Sequence, residues 1–201
     1  MIEARPRARE QPATRPVVYT IGHSTRTLEE FLSLLQANGV MRILDVRTVP
    51  RSRHNPQFNR ETLPDSLLAA GIGYTHLPGL GGLRHPRADS PNGAWRNPSF
   101  RGYADYMQTA EFAGSLQQVA ALAGDERCAL MCAEAVPWRC HRSLIADALI
   151  VRGIRVEDII GPLRRTVRTL TPWARVDGLN ITYPPEAAAG IEAAIASKPK
   201  L

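Results

Sequence analysis

The stretch Arg127-Cys128-Ala129-Leu130-Met131-Cys132-Ala133-Glu134-Ala135-Val136-Pro137-Trp138-Arg139-Cys140-His141-Arg142-Ser143-Leu144-Ile145 reads as strand, loop and helix in that order. Its opening residues form the short apolar run that a fully buried strand needs. Pro137 has no N–H for a strand ladder, so the strand ends before it. From Cys140 onward Leu144, Ile145, Ala148 and Leu149 recur at helical spacing up to Gly153, and residues 155–160 are strand-like again. A strand, a helix and a strand in close succession specify a crossover between parallel neighbours.

The same rhythm extends toward the N-terminus. Val17 to Ile21 is a β-branched run that gives way to Gly22-His23-Ser24. Thr27 and Glu30 have the spacing of a capping box for a helix whose apolar face is Leu28, Phe31, Leu32 and Leu35, closed by Asn38-Gly39. Residues 42–47 form a second strand that ends in charge at Asp45-Val46-Arg47. Leu63, Leu67 and Leu68 outline a helix ending at Gly71, and residues 72–76 a third strand. Residues 77–98 are a Gly-, Pro- and Arg-rich loop, long enough to suggest function. Residues 99–123 have a helical period, with a break expected at Gly114.

These elements predict an α/β fold, a single domain over 17–161 with a mostly parallel sheet of about five strands and helices on both faces. Residues 1–16 read as a disordered basic leader. Residues 162–201 read as an extension packed in part on the domain, with a short helix over 186–196.

Composition narrows the function classes. The chain has 201 residues, 44% hydrophobic and 22% charged, as in an ordinary globular protein. No apolar run approaches the ~20 residues of a membrane span. Three cysteines, an odd number, argue against a disulfide framework and suit a reducing cytoplasm. The net charge of +6 suits anionic partners: a small anionic or nucleotide-like ligand, or nucleic acid with Trp95, Trp138 and Trp173 for stacking.

Parallel sheets bind ligands beyond the carboxyl ends of their strands. Here four strands end in chemistry: His23-Ser24, Asp45 to Arg47, His76, and Cys132-Ala133-Glu134. Cys132 and Glu134, two apart, point the same way on an extended chain. Cys140 falls where the next helix begins, so helix amides with Arg139, His141 and Arg142 favour a thiolate. Three readings of this cluster stand side by side. One is a reactive thiol, with Cys132 or Cys140 as nucleophile, His141 or His23 as proton carrier and Glu134 as orienter or acid. Another is a divalent metal site using Cys132, Cys140 and His141, although the spacing matches no zinc finger. The third treats the cysteines as small buried apolar groups beside a Glu134–Arg142 ion pair. Ser24, Asp45, Arg47, Arg51, Ser52 and Arg142 form the anion-binding set, with Asp45 orienting Arg47 or a histidine.

Ile21-Gly22-His23-Ser24, Asp45-Val46-Arg47 with Pro50 and Ser52, Leu80-Gly81-Gly82, and Cys132-Ala133-Glu134 through Cys140-His141-Arg142 together resemble the domain of unknown function 488 family. The resemblance runs from about Val17 to Ile160 and implies a shared site without naming an activity. The layout is also similar to that of rhodanese sulfurtransferases, from which it departs at Glu134 and the additional Cys140. The phosphatase pattern of Cys, five residues and Arg is absent, because Trp138 stands six residues after Cys132.

Overall fold

A computed structural model describes residues 16–185. The elements, in chain order, are β1 (Val17–Gly22), α1 (Leu28–Ala37), β2 (Arg42–Asp45), α2 (Leu63–Ala69), β3 (Gly73–His76), α3 (Pro98–Tyr106), α4 (Ala110–Asp125), β4 (Cys128–Cys132), α5 (Arg142–Val151), β5 (Arg155–Gly161), β6 (Arg164–Val167), β7 (Arg175–Asp177) and β8 (Asn180–Thr182). Six strands form one sheet in the order β3-β2-β4-β1-β5-β6, and β7 and β8 pair separately. All neighbours from β3 to β5 run parallel, whereas β6 turns back antiparallel on β5.

Alternation along the strands divides the core. Tyr19, Ile21, Ile43, Ala129 and Met131 pack with Phe31 and Leu35 of α1 and Leu63 and Leu67 of α2. Their alternates Val18, Leu44, Cys128, Leu130 and Cys132 pack with Tyr103, Phe112, Leu116, Val119, Leu144 and Leu149 of α3, α4 and α5. Successive side chains of a strand face opposite ways, so these two sets belong to opposite faces of the sheet.

Several elements differ from the sequence reading. The sheet gains a sixth strand because the chain after Gly161 pairs its arginine-rich segment with β5; polar alternation there hid the strand. The helical stretch 99–123 is two helices, broken at Met107–Thr109 rather than at Gly114. Thr109 accepts the Phe112 N–H and so starts α4. Gly114 lies inside α4. The Thr27–Glu30 capping box is present in both directions. The long loop is held by Asp105, which accepts from the Arg87 amide, Ser90 Oγ and Asn92 Nδ2. Beyond the sheet, Ile181 and Tyr183 are buried in the α3–α5 core, and Tyr183 Oη donates to Asp147 at 2.8 Å. The basic leader, except for Pro16, and the helix expected over 186–196 lie outside the described residues. Among the described residues no helix is long and apolar enough to cross a membrane.

Candidate functional site

Parallel strands deliver the loops after β1, β2 and β4 to one edge of the sheet, where they border a cleft of about 660 Å³. β1 sits between β4 and β5, so the chain leaving β1 and the chain leaving β4 turn opposite ways around the crevice. His23, Ser24, Arg47, Arg51, Ser52, Cys132, Glu134, Cys140 and His141 all line it. Asp45 and Arg142 lie behind the wall, fully buried. Thr48, Asn55, Ser99, Phe100 and Arg139 also line the cleft. Arg139 was legible only as part of the positive surroundings of Cys140. Ser99 and Phe100 carried no signal, because the long loop decides where the start of α3 lies.

The floor of the cleft is a pair of thiols on a buried cation. Cys132 ends β4, and Cys140 follows a turn of 3₁₀ helix at Pro137–Arg139. Their Sγ atoms are 2.8 Å apart. Arg142 Nε donates to Cys132 Sγ at 3.0 Å and to Cys140 Sγ at 3.4 Å. The rest of its guanidinium donates to Thr20 Oγ1 at 2.9 Å and to the Glu134 carbonyl at 2.6 Å. Arg142 is 1% exposed, and among the described residues no carboxylate forms an ion pair with it. Asp158, one hydroxyl away through Thr20, pairs with Arg168 instead.

A guanidinium does not give up its proton, and burying it without a counter-charge is very costly. The sulfurs supply that charge. One thiol of the pair ionises far below the ordinary range, because the hydrogen bond from the other thiol holds the anion and His141 and Arg142 reinforce it. The other thiol is held well above the ordinary range by the same hydrogen bond and by burial. Two coupled groups share one charge. Cys128 is separate: burial at the start of β4 pushes its thiol up to about 12.

His141 lies between the end of β2 and Cys140. Its Nε2–H donates to the Val46 carbonyl at 3.0 Å, which leaves the Nδ1 lone pair toward Cys140 Sγ at 3.6 Å. Gly82 lies against the ring; a Cβ there would stand 2.6 Å from Nδ1. Gly81 presses on Thr48 in the same way. The Leu80-Gly81-Gly82 turn is therefore a point of close approach.

His23 is placed differently from its expected role as proton carrier. Nδ1–H donates to the Ser24 carbonyl at 2.8 Å, and Nε2 accepts from Arg47 Nη1 at 3.3 Å. Burial, with Arg47 alongside, lowers its pKa to about 4. The ring stacks on Phe58 with centroids 4.2 Å apart. With both nitrogens engaged and the ring held neutral, His23 positions its neighbours. Ser24 carries a left-handed backbone, φ 52°, which turns its carbonyl back toward His23.

Arg47 is locked. Asp45 takes its Nε and Nη2 at 2.9 and 2.6 Å, and Nη2 also donates to the Phe58 carbonyl. Tyr74 Oη donates to the same Asp45 Oδ2 at 2.8 Å. Asp45 thus holds Arg47 in place, and the bond network absorbs most of the donors an anion would use. Arg51 and Arg139 line the cleft, are exposed and form no ion pair among the described residues. Ser52 Oγ is engaged by the Asn55 amide.

Glu134 does not pair with Arg142 through its side chain. The carboxylate is exposed and accepts the Val136 amide at 3.2 Å, while its backbone meets the cluster. Gly22 makes this possible: a Cβ at Gly22 would overlap the Glu134 carbonyl. The metal reading fits poorly. Arg142 places a positive group against both sulfurs, where a cation would need their lone pairs. Among the described residues no group of three or more His, Cys, Asp or Glu is arranged to hold a metal ion. Trp95 is half-buried, stacked on Phe100 and edge-on to Trp173 and Tyr183, whereas Trp138 is exposed.

Comparison with known proteins gives one family whose sequence pattern matches: that described as domain of unknown function DUF488, over residues 27–149, more than half of the chain. No curated protein and no solved structure matches.

Proposed function

The chain belongs to the family described as domain of unknown function DUF488, and from that premise we propose that it is a thiol-dependent enzyme acting on a small anionic or nucleotide-like substrate. The observation that carries this reading is Arg142, buried with no carboxylate partner among the described residues and bonded to both sulfurs. A thiolate is the nucleophilic form of cysteine, and the cation keeps it ionised in a site open to the cleft. Cys140 is the nucleophile, and His141 Nδ1 accepts its proton and returns it to a leaving group.

Arg51 and Arg139 attract and hold the substrate's negative charge across the cleft mouth. Val49, Leu83 and Phe100 line the cleft beside them, and Leu83 is 75% exposed, so an apolar or aromatic portion of the substrate has a surface to cover. Arg47, His23 and Asp45 form the rigid wall behind.

Alkylation by iodoacetamide as a function of pH, read by mass at each cysteine, tests the reading. Cys140 reacts at pH 5–6 at a rate that ordinary thiols reach only near their pKa of about 8.5. A midpoint near that value for both Cys132 and Cys140 overturns it.

A further inference from the structure

A single thiolate with a histidine is enough for nucleophilic catalysis, yet this cleft holds two thiols on the same cation. Their sulfurs, 2.8 Å apart, need to close by less than ~1 Å to reach the length of a disulfide bond. Both line the cleft, and they differ in their surroundings. Cys140 faces His141 Nδ1, whereas Cys132 receives the Glu134 amide at 3.3 Å and the shorter contact from Arg142.

We infer that the two thiols act in turn on a small anionic disulfide, Cys140 opening it and Cys132 resolving the mixed disulfide, so that the site reduces its substrate by two electrons. This rests on the thiolate reading above and adds the substrate class.

The steps balance. The Cys140 thiolate attacks one substrate sulfur; the substrate S–S bond breaks, and the departing thiolate takes the proton held on His141. Cys140 is then neutral, and Arg142 has lost its counter-charge. The remaining sulfur within reach of Nε is Cys132, so the cation that stabilised Cys140 now favours loss of the Cys132 proton to His141. The Cys132 thiolate attacks Cys140 Sγ, the mixed disulfide breaks, and the second substrate thiol leaves with that proton. The substrate disulfide gains two electrons and two protons, and the protein is left with a Cys132–Cys140 disulfide. An external dithiol restores it by exchange.

The rest of the cleft fits such a substrate. Its volume accommodates a molecule of peptide size. Arg51 and Arg139, which both line the cleft, meet the substrate's carboxylates. Cys128 starts β4 within the core and takes no part.

The test mixes reduced full-length protein, without oxygen, with oxidised glutathione as the anionic disulfide or hydroxyethyl disulfide as a neutral one. Oxidised glutathione is expected to remove two of the three free thiols, release two equivalents of glutathione and leave a Cys132–Cys140 peptide. Cys132→Ser stops at glutathione bound to Cys140, and Cys132→Ala serves if the serine variant does not fold. At low salt the anionic disulfide reacts roughly tenfold faster than the neutral one, and the Arg51→Ala/Arg139→Ala variant loses that preference. A wild-type protein that keeps all three thiols, or a Cys132→Ser variant that releases both equivalents of glutathione, overturns the inference. Rapid alkylation of Cys140 at low pH without disulfide formation sinks this step alone; slow alkylation sinks the thiolate reading with it.

Discussion

The guanidinium of Arg142 meets Cys132 Sγ at 3.0 Å in a place where a carboxylate would ordinarily stand. That contact makes the charge of the thiol pair and the stability of the fold one quantity. Arg142→Lys keeps a positive charge but loses the forked contacts to sulfur, Thr20 and the Glu134 carbonyl. The expected result is a shift of the alkylation profile of Cys140 toward that of an ordinary thiol, with at least a tenfold slower reaction near pH 6. Arg142→Met removes the counter-ion of a buried charge and lowers stability by about 3 kcal/mol, measured by urea unfolding.

Asp45 and Arg47 make a comparable buried pair in which the counter-charge is a carboxylate. Asp45→Asn leaves Arg47 buried beside neutral donors and acceptors. Unfolding free energy falls by about 3–5 kcal/mol. The loss of cleft geometry appears as faster proteolysis of the 46–59 loop.

Two glycines give opposite outcomes. Gly22→Ala drives a methyl group into the Glu134 carbonyl, and the backbone there has to move. We expect about 1–3 kcal/mol of destabilisation together with loss of the low-pH reactivity of Cys140. Gly114→Ala, inside α4 with open space around it, raises the melting temperature and leaves the thiols unchanged, by about 1 kcal/mol. Thermal unfolding and alkylation on the same samples separate the two.

His23 sets a pH dependence. Its folded pKa of about 4 lies below the unfolded value of 6.5, so folding favours the neutral ring. Its contribution is complete above pH 6.5 and is lost as pH falls toward 4, up to ~3 kcal/mol in all. His23→Gln flattens the slope of stability between those values, as read from melting temperatures across the range. An unchanged slope assigns the acid sensitivity to other groups.

His141→Gln tests the proton carrier apart from the thiolate. With Arg142 in place Cys140 still alkylates at low pH. The release of glutathione from oxidised glutathione slows by about 10²-fold or more, because the leaving thiolate has no proton donor. Equal rates for the variant and wild type remove His141 from that role.

Much of this protein was legible in one dimension. Hydrophobic period and caps marked the parallel α/β core, since burial on both faces leaves a continuous apolar run in each strand, and the box at Thr27 and Glu30 is a local bond between neighbours in sequence. The strand ends also pointed to one edge, because parallel connectivity sends every carboxyl end the same way. What could not be read was the partner of each polar group. Arg142 and Glu134 looked like an ion pair and instead meet through a backbone carbonyl. His23 looked like a base, and its nitrogens are occupied by Ser24 and by Arg47, which lies 24 residues away. The strand β6 was hidden by its charges, and the break between α3 and α4 by an unremarkable threonine.

The sequence by itself determined the fold class and the edge where polar residues gather, because both follow from periodicity and chain direction. Only the tertiary structure decided that Cys132 and Cys140 share one buried cation, that His141 rather than His23 faces a thiol, and that Glu134 contributes its backbone. The physical reason is that hydrogen-bond pairing and desolvation depend on distances across the sheet, between residues the chain brings together only after it has folded.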